Sequence, residues 1–288
     1  MINNGKEILA NARAEGYAIG GFNVVDYAST EMVLQAAEQK NVPIMLMIGD
    51  FTNPNAQESR YMKPFDAKNL SRFIVDRSEA SPVPVLIHLD HCPTYEGCMR
   101  AIQNGATSVM IDASMAPFEE NVRLTKKVID AAHACGVLVE AEIGHVSGHA
   151  NSTGVQYTEV EDAKRFYEET GVDLLAVSIG TVHGVYASEP SLNYDRIAEL
   201  KESIPVPLVM HGASGLRPDQ FKDAVKAGIA KINFATYLML EGARGMAEQI
   251  AKDGDNARFA NVLKAGTTRA TEYVKMHLDL FGTKPWVR

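Results

Sequence analysis

The chain has 288 residues, of which 46% are hydrophobic and 22% charged, with a net charge of -8. A chain of that length buries roughly three quarters of its unfolded surface, so its core needs no disulfide or metal staple. The acidic balance leaves no basic stripe with which to displace counterions from a nucleic-acid backbone, but it allows a local site for one small phosphate.

In chain order, the opening stretch MINNGKEILANARAEG has no apolar run of signal-peptide length. Short β-rich runs then recur: YAIGGFNVV (17–25), PIMLMIG (43–49), PVLIHLD (84–90), SVMIDAS (108–114), LVEAEIG (138–144), LLAVSIG (174–180), PLVMHGA (207–213) and AKINFAT (230–236). They are almost continuously apolar rather than alternating, as parallel strands buried on both faces should be. Helix-like stretches separate them, among them STEMVLQAAEQK (29–40), FEENVRLTKKVIDAAHACG (118–136) and RPDQFKDAVKAG (217–228). Thr30 and Glu31 read as a helix start, and Gly136 and Gly228 as stops. Eight strand–helix alternations predict a (β/α)8 barrel. The competing fold, an open doubly wound sheet, would carry a GxGxxG turn after an early strand, and no such turn is present. No linker or low-complexity tract divides the chain, so residues 1–288 are expected to form one domain, with extra helices after the eighth unit. No segment reaches 18 apolar residues, and Cys92, Cys98 and Cys135 are odd in number with no CxxC pair. A soluble cytoplasmic protein with no membrane contact is expected.

Polar residues collect at the C-terminal ends of these runs: Asn23, Asp90 with His91, Asp112, Glu142, His183 just past the sixth, His211, and Asn233 with Thr236. In a barrel these ends share one mouth, where active sites sit. Strict alternation would aim Asp90 and His91 in opposite directions. Pro93 implies that the ladder breaks there and lets both turn inward. Three histidines on three separate strand ends suit a catalytic zinc, which takes three protein ligands and keeps one open position. One such histidine would be an ordinary polar residue; three at matching positions point to a metal. His88, beneath the mouth, and His133 and His277, on helix patterns, read as structural. His145 and His149 fall in the loop after Glu142.

The segments GTVHG (180–184), HGASG (211–215) and NFAT (233–236) are rich in glycine and small hydroxyls. The loops after the last strands of such barrels recurrently bind phosphate through exposed backbone N–H groups. A metal beside a phosphate site suggests a sugar phosphate whose carbonyl is polarised. Asp90 is the natural carboxylate to move the hydroxyl proton when a C–C bond is made or broken.

IHLDH, SVMIDAS, VEAEIG, SIGTVHGVY, LVMHGASG and KINFAT together resemble the signature segments of the class II, metal-dependent ketose-bisphosphate aldolases, most closely the tagatose-bisphosphate branch. The resemblance runs over almost the whole chain. It implies that His91, His183 and His211 bind Zn2+ and that Asp90 is the catalytic acid and base. Asp112 and Glu142 match carboxylates that hold a second or alternative divalent metal. Gly184, the run Gly212, Ala213 and Ser214, and the run Asn233, Phe234, Ala235 and Thr236 match segments that bind dihydroxyacetone phosphate, with a monovalent cation (Na+ or K+) nearby. Asn23 matches a polar residue near the substrate. A homodimer or homotetramer is implied as well.

The segment 144–160 lacks the acidic run of a mobile catalytic loop found in many members. A lid is expected there, with His145, His149 or Glu159 as candidates to protonate the enediolate carbon. MIGDF (47–51) replaces a serine-containing segment. Asp50, if it points inward, would repel a phosphorylated aldehyde, and Arg269 resembles a family arginine that reaches a second phosphate. Tagatose or fructose 1,6-bisphosphate is the first expected substrate and a singly phosphorylated ketose the second. Two other readings stand beside the aldolase: a metal-dependent phosphosugar epimerase or isomerase, and a non-catalytic sugar-phosphate sensor.

Overall fold

The computed structural model describes residues 1–3, 5–50, 67–144, 157–184, 186 and 189–287. Eight strands lie in it: β1 (Ile19–Asn23), β2 (Ile44–Ile48), β3 (Val85–Cys92), β4 (Ser108–Ile111), β5 (Leu138–Ile143), β6 (Leu174–Val177), β7 (Leu208–Met210) and β8 (Ile229–Phe234). Each pairs in parallel with the next and β8 returns to β1, so the sheet closes into a barrel. The helices are α1 (Lys6–Glu15), α2 (Tyr27–Lys40), α3 (Ala67–Glu79), α4 (Tyr95–Gln103), α5 (Phe118–Ala134), α6 (Val160–Thr170), α7 (Tyr194–Ser203), α8 (Pro218–Ala227), α9 (Thr236–Asp253) and α10 (Phe259–Leu280). This is the (β/α)8 architecture that the alternation of runs predicts, with α9 and α10 packed together and α10 also lying against α2.

Two local details depart from the sequence reading. Helix α2 starts earlier than Thr30, because Asp26 accepts a hydrogen bond from the Ser29 backbone N–H at 2.7 Å while the Ser29 hydroxyl accepts one from the Asp26 N–H at 2.9 Å. The reciprocal cap uses serine where a glutamate is the usual signal. The end of β3 also differs. Its ladder does not break before Pro93 but runs through Cys92, with Leu89 paired to Val109 and Cys92 to Ile111. Two residues of β3 therefore oppose one of β4, a bulge, and His91 takes the left-handed φ of 45°. The bulge, rather than a strand end, turns both Asp90 and His91 to the mouth.

The interior of the barrel changes character along each strand. Every second residue faces inward, so β3 presents Leu86, His88 and Asp90, and β5 presents Leu138, Glu140 and Glu142. At the lower end, Ile19, Leu86, Leu138 and Leu174 form a buried cluster with Ile8, Leu9 and Ala12 of α1, which plugs the barrel. A second and larger cluster fills the shell between strands and helices. At about 25 cal/mol per Å2 of apolar surface removed from water, these layers supply most of the drive to fold. The polar upper end then rests on a rigid base.

Candidate active site and metal centre

At the upper end, a cavity of about 430 Å3 is lined by Asn23, Asp90, His91, His183, Gly184, the segment 212–214 and the segment 233–236, with Val25 and Met239 completing the wall. All the residues expected to bind substrate thus border one space. His211, Asp112 and Glu142 lie just behind that lining, and Glu142 and His211 are fully or almost fully buried.

The three histidine rings meet in this wall. Their centroids stand 5.0 Å apart for His91 and His183, 4.6 Å for His91 and His211, and 5.9 Å for His183 and His211. One nitrogen from each falls within 4.8 Å of the others, a spacing that can hold a metal ion. A second group, His91 with Asp112 and Glu142, meets the same criterion. The His91 Nδ1 lies 2.7 Å from Asp112 Oδ2, which orients the ring. Its Nε2 is buried with no hydrogen-bond partner among the described residues. Leaving a buried ring nitrogen unsatisfied is costly, and ligation of a metal ion would satisfy it. Three imidazoles with carboxylates behind them match the donor set of a catalytic zinc.

Asp90 sits beside this group, with Oδ1 4.0 Å from His91 Nε2. Asn23 donates to Asp90 Oδ2 at 2.9 Å and Asn233 to Oδ1 at 3.0 Å, so each carboxylate oxygen is held by one amide. Burial pushes this carboxyl upward, but the neighbouring His91 and His211 charges and the Asn23 hydrogen bond outweigh it and hold it well below the usual carboxylate range. Asp112 is likewise held low: burial opposes ionisation, while His91 and Ser114 stabilise the charge. For His211, burial favours the neutral ring, but hydrogen bonds to Glu140 and Glu142 prevail and raise it to about 9.

The glycine-rich loops are braced. Tyr186 donates its hydroxyl to the Gly212 carbonyl at 2.7 Å and accepts from the Val182 N–H at 3.2 Å, joining the loops after β6 and β7. Burial raises that phenol to about 12, so it stays protonated as a donor. Gly212 has a φ of 67°, and a Cβ there would stand 2.6 Å from the Val182 carbonyl oxygen. Only glycine fits. Helix α9 begins at Thr236, which lines the cavity, and no side chain caps its N-terminal N–H groups; such an end is a natural anion site.

Several expected residues are placed elsewhere. Asp50 pairs with Arg100 and does not line the cavity. Arg269 pairs with Glu241 and Glu248 of α9 and does not line it either. Glu159 precedes α6 and meets Arg196 at 3.0 Å. His145 and His149 lie outside the described residues. The segment 144–160 re-enters description at Tyr157, where Thr158 Oγ1 donates to the Ile143 carbonyl at 2.7 Å and accepts from the Ser178 N–H at 2.8 Å. Those two bonds tie Thr158 to the end of β5 and to the residue after β6. His133 pairs with Asp173 at 2.8 Å on the surface, and His277 is buried among aromatic rings.

The model of the class II fructose-bisphosphate aldolases matches residues 3–285. The chain belongs to this family. It is 37% identical to a fructose-bisphosphate aldolase of Thermus caldophilus over 98% of its own length and 99% of the relative's. A fructose-bisphosphate aldolase of Staphylococcus epidermidis is 37% identical, with 96% of each chain covered. Among solved structures, the YdjI aldolase of Escherichia coli K12 superposes with a TM-score of 0.83 at 33% identity, covering 98% of both chains. Class II aldolases are zinc-dependent lyases of carbohydrate metabolism that cleave a ketose phosphate reversibly. The match favours aldol chemistry over the epimerase and sensor readings. Relatives named for fructose bisphosphate do not single out the tagatose branch. Among the described residues, no helix is long and apolar enough to cross a membrane.

Sequence reasoning passed over Glu140 and Tyr186. Strand parity carried a signal for the first, since Glu140 shares a face with Glu142, just as the parity of Lys231, which matches that of Asn233, placed the lysine deeper in the barrel, where it is fully buried. Tyr186 gave none, because its role depends on two loops meeting in space.

Proposed function

We propose that this chain is a zinc aldolase that cleaves a ketose 1-phosphate to dihydroxyacetone phosphate and an aldehyde, with tagatose or fructose 1,6-bisphosphate as first substrates and a singly phosphorylated ketose as second. The observation that carries the reading is the buried, unsatisfied His91 Nε2 in a triangle of histidines beside a doubly held Asp90. His91, His183 and His211 would hold the ion, which supplies polarisation of the ketone and stabilisation of the negative charge developing on its oxygen. Asp112 and Glu142 would serve a second or alternative divalent position, with Na+ or K+ near the phosphate.

Asp90, kept ionised by its surroundings, accepts the C4 hydroxyl proton during cleavage and returns it during condensation. Asn23 and Asn233 fix its two oxygens, so the base is aimed before substrate arrives. Backbone N–H groups of Gly184, of Gly212 to Ser214 and of the start of α9 at Thr236 take the ketone-side phosphate. No lysine or arginine is among the described residues lining this cavity, so the phosphate rests on amide dipoles rather than point charges. The pairing of Asp50 with Arg100 removes the repulsion expected of it, which leaves a phosphorylated aldehyde admissible. The family match over residues 3–285 supports one domain, and the resemblance supports a homodimer or homotetramer in the cytoplasm.

The test is condensation of dihydroxyacetone phosphate with a panel of aldehydes, glyceraldehyde 3-phosphate included, by zinc-loaded protein. Product from glyceraldehyde 3-phosphate, resolved by C4 stereochemistry, is expected. Condensation of uncharged aldehydes alone would replace the bisphosphates by a singly phosphorylated ketose. No condensation at all would overturn the reading.

A further inference from the structure

Below the histidine triangle, the barrel interior carries charge where aliphatic side chains would fit. Glu140, Lys231, His88 and His211 are all fully buried. Lys231 Nζ donates to Glu140 Oε2 at 2.6 Å and lies 3.3 Å from His88 Nε2. The Glu140 Oε1 stands 3.0 Å from His211 Nε2. Burying an ammonium and a carboxylate is costly, and replacing such a pair by packed hydrophobic residues is often neutral or stabilising. Proton transfer by Asp90 and phosphate binding involve neither residue. The pair therefore calls for a different reason.

His211 supplies one, because both of its ring nitrogens face carboxylates. Nε2 meets Glu140, and Nδ1 meets Glu142 Oε2 at 3.0 Å. A ring that ligates a metal gives one nitrogen's lone pair to the ion and keeps its proton on the other. Only one of the two carboxylates can then retain its hydrogen bond. The two are not equivalent. Glu140 has its second oxygen locked onto Lys231, whereas Glu142 belongs to the cluster with His91 and Asp112 that can itself hold a cation. On β5, Glu140 sits two residues below Glu142, about 6.6 Å further from the mouth.

We propose that Glu140, clamped by Lys231, is the positioning residue of His211: it retains the Nε2 proton and so presents Nδ1 to the metal, while Glu142 releases the ring. This rests on the zinc reading above. It makes the buried ion pair a second layer of the metal site, acting through one hydrogen bond.

The test compares zinc affinity, by chelator competition, in the wild type and in the double variant Glu140→Leu/Lys231→Met, which removes both charges together. A loss of 10- to 100-fold is expected, with the Michaelis constant for dihydroxyacetone phosphate unchanged once zinc saturates. Glu140→Gln/Lys231→Met, which restores a neutral acceptor for the Nε2 proton, should recover part of the loss. A folded Leu/Met variant that binds zinc within about twofold of wild type would show that the pair merely fills space. Should that variant not fold, imidazole 15N spectra of zinc-loaded wild type still decide. A proton on Nε2 of His211 supports the proposal, and a zinc on Nε2 overturns it. Wild type that takes up no zinc would instead overturn the metal reading beneath it.

Discussion

The two ends of the barrel interior are built from the same strands only a few residues apart, yet they obey different rules. At the lower end, Ile19, Leu86, Leu138 and Leu174 interlock with Ile8, Leu9 and Ala12 of α1 in one buried apolar cluster. At the upper end, Asn23, Asp90 and Glu142 occupy the equivalent inward positions: the first two line one cavity, and Glu142 stands behind it with His91 and Asp112. The strand geometry is shared, so what differs is the solvent each end faces. A closed end maximises burial, and an open one can offer unsatisfied groups to a ligand. The lesson is that stability and chemistry are separated along the barrel axis, one above the other, and substitutions at each end should disturb one and spare the other.

The largest expected effect is at the upper end. Stripping metal with a chelator, or making His91→Ala, should lower turnover by roughly three orders of magnitude or more, measured as triose-phosphate release. Full activity in verified metal-free protein would break the distinction at once. Next comes Asp90→Asn, which should leave zinc bound but reduce kcat by about two to four orders of magnitude; a near-normal kcat would assign the proton transfer to another group. Both variants should melt close to the wild type.

At the lower end, Leu86→Ala should cost about 2–5 kcal/mol of stability, read by denaturant unfolding. Zinc affinity and kcat of the folded fraction should stay within about twofold of wild type. A large loss of zinc affinity there would show that the two ends are coupled.

His277, outside both, gives the finest test. Burial lowers this ring to about 4, so it is neutral in the folded protein. The unfolded chain, with a histidine near 6.5, binds more protons between those values. Its contribution is therefore fully present above pH 6.5 and lost as the pH falls through 4, on the order of 3 kcal/mol. His277→Phe should flatten that part of the stability-versus-pH curve relative to wild type while activity at pH 8 is kept. An unchanged slope would mean that His277 does not carry it.

Most of this architecture was legible in the chain. Eight apolar runs gave the barrel, since parallel strands buried on both faces leave an unmistakable pattern. The meeting of His91, His183 and His211 was legible because barrel topology converts three distant strand ends into neighbours. What escaped had other causes. Asn23 and Asn233 were read as substrate contacts and both line the cavity, but the grip of their amide groups on Asp90 went unread, because it is a pairing across the barrel that depends on which strands stand opposite. Arg269 was read as reaching a phosphate, yet two glutamates on α9 claim it, because α9 and α10 pack side by side. The β3 bulge was read as a strand end: proline announces where a ladder stops, but an added residue within the ladder leaves no compositional trace.

That bulge limits how the site could be transplanted. On a regular strand, Asp90 and the following histidine would point to opposite sides of the sheet, one into the barrel and one into the helix shell. Copying the side chains of this centre onto another eight-stranded scaffold would therefore misdirect His91 by half a turn. Anyone engineering such a graft must carry the irregular Leu89–Cys92 segment and its left-handed residue along with the side chains. The backbone irregularity is as much a component of the histidine cluster as the imidazole it aims.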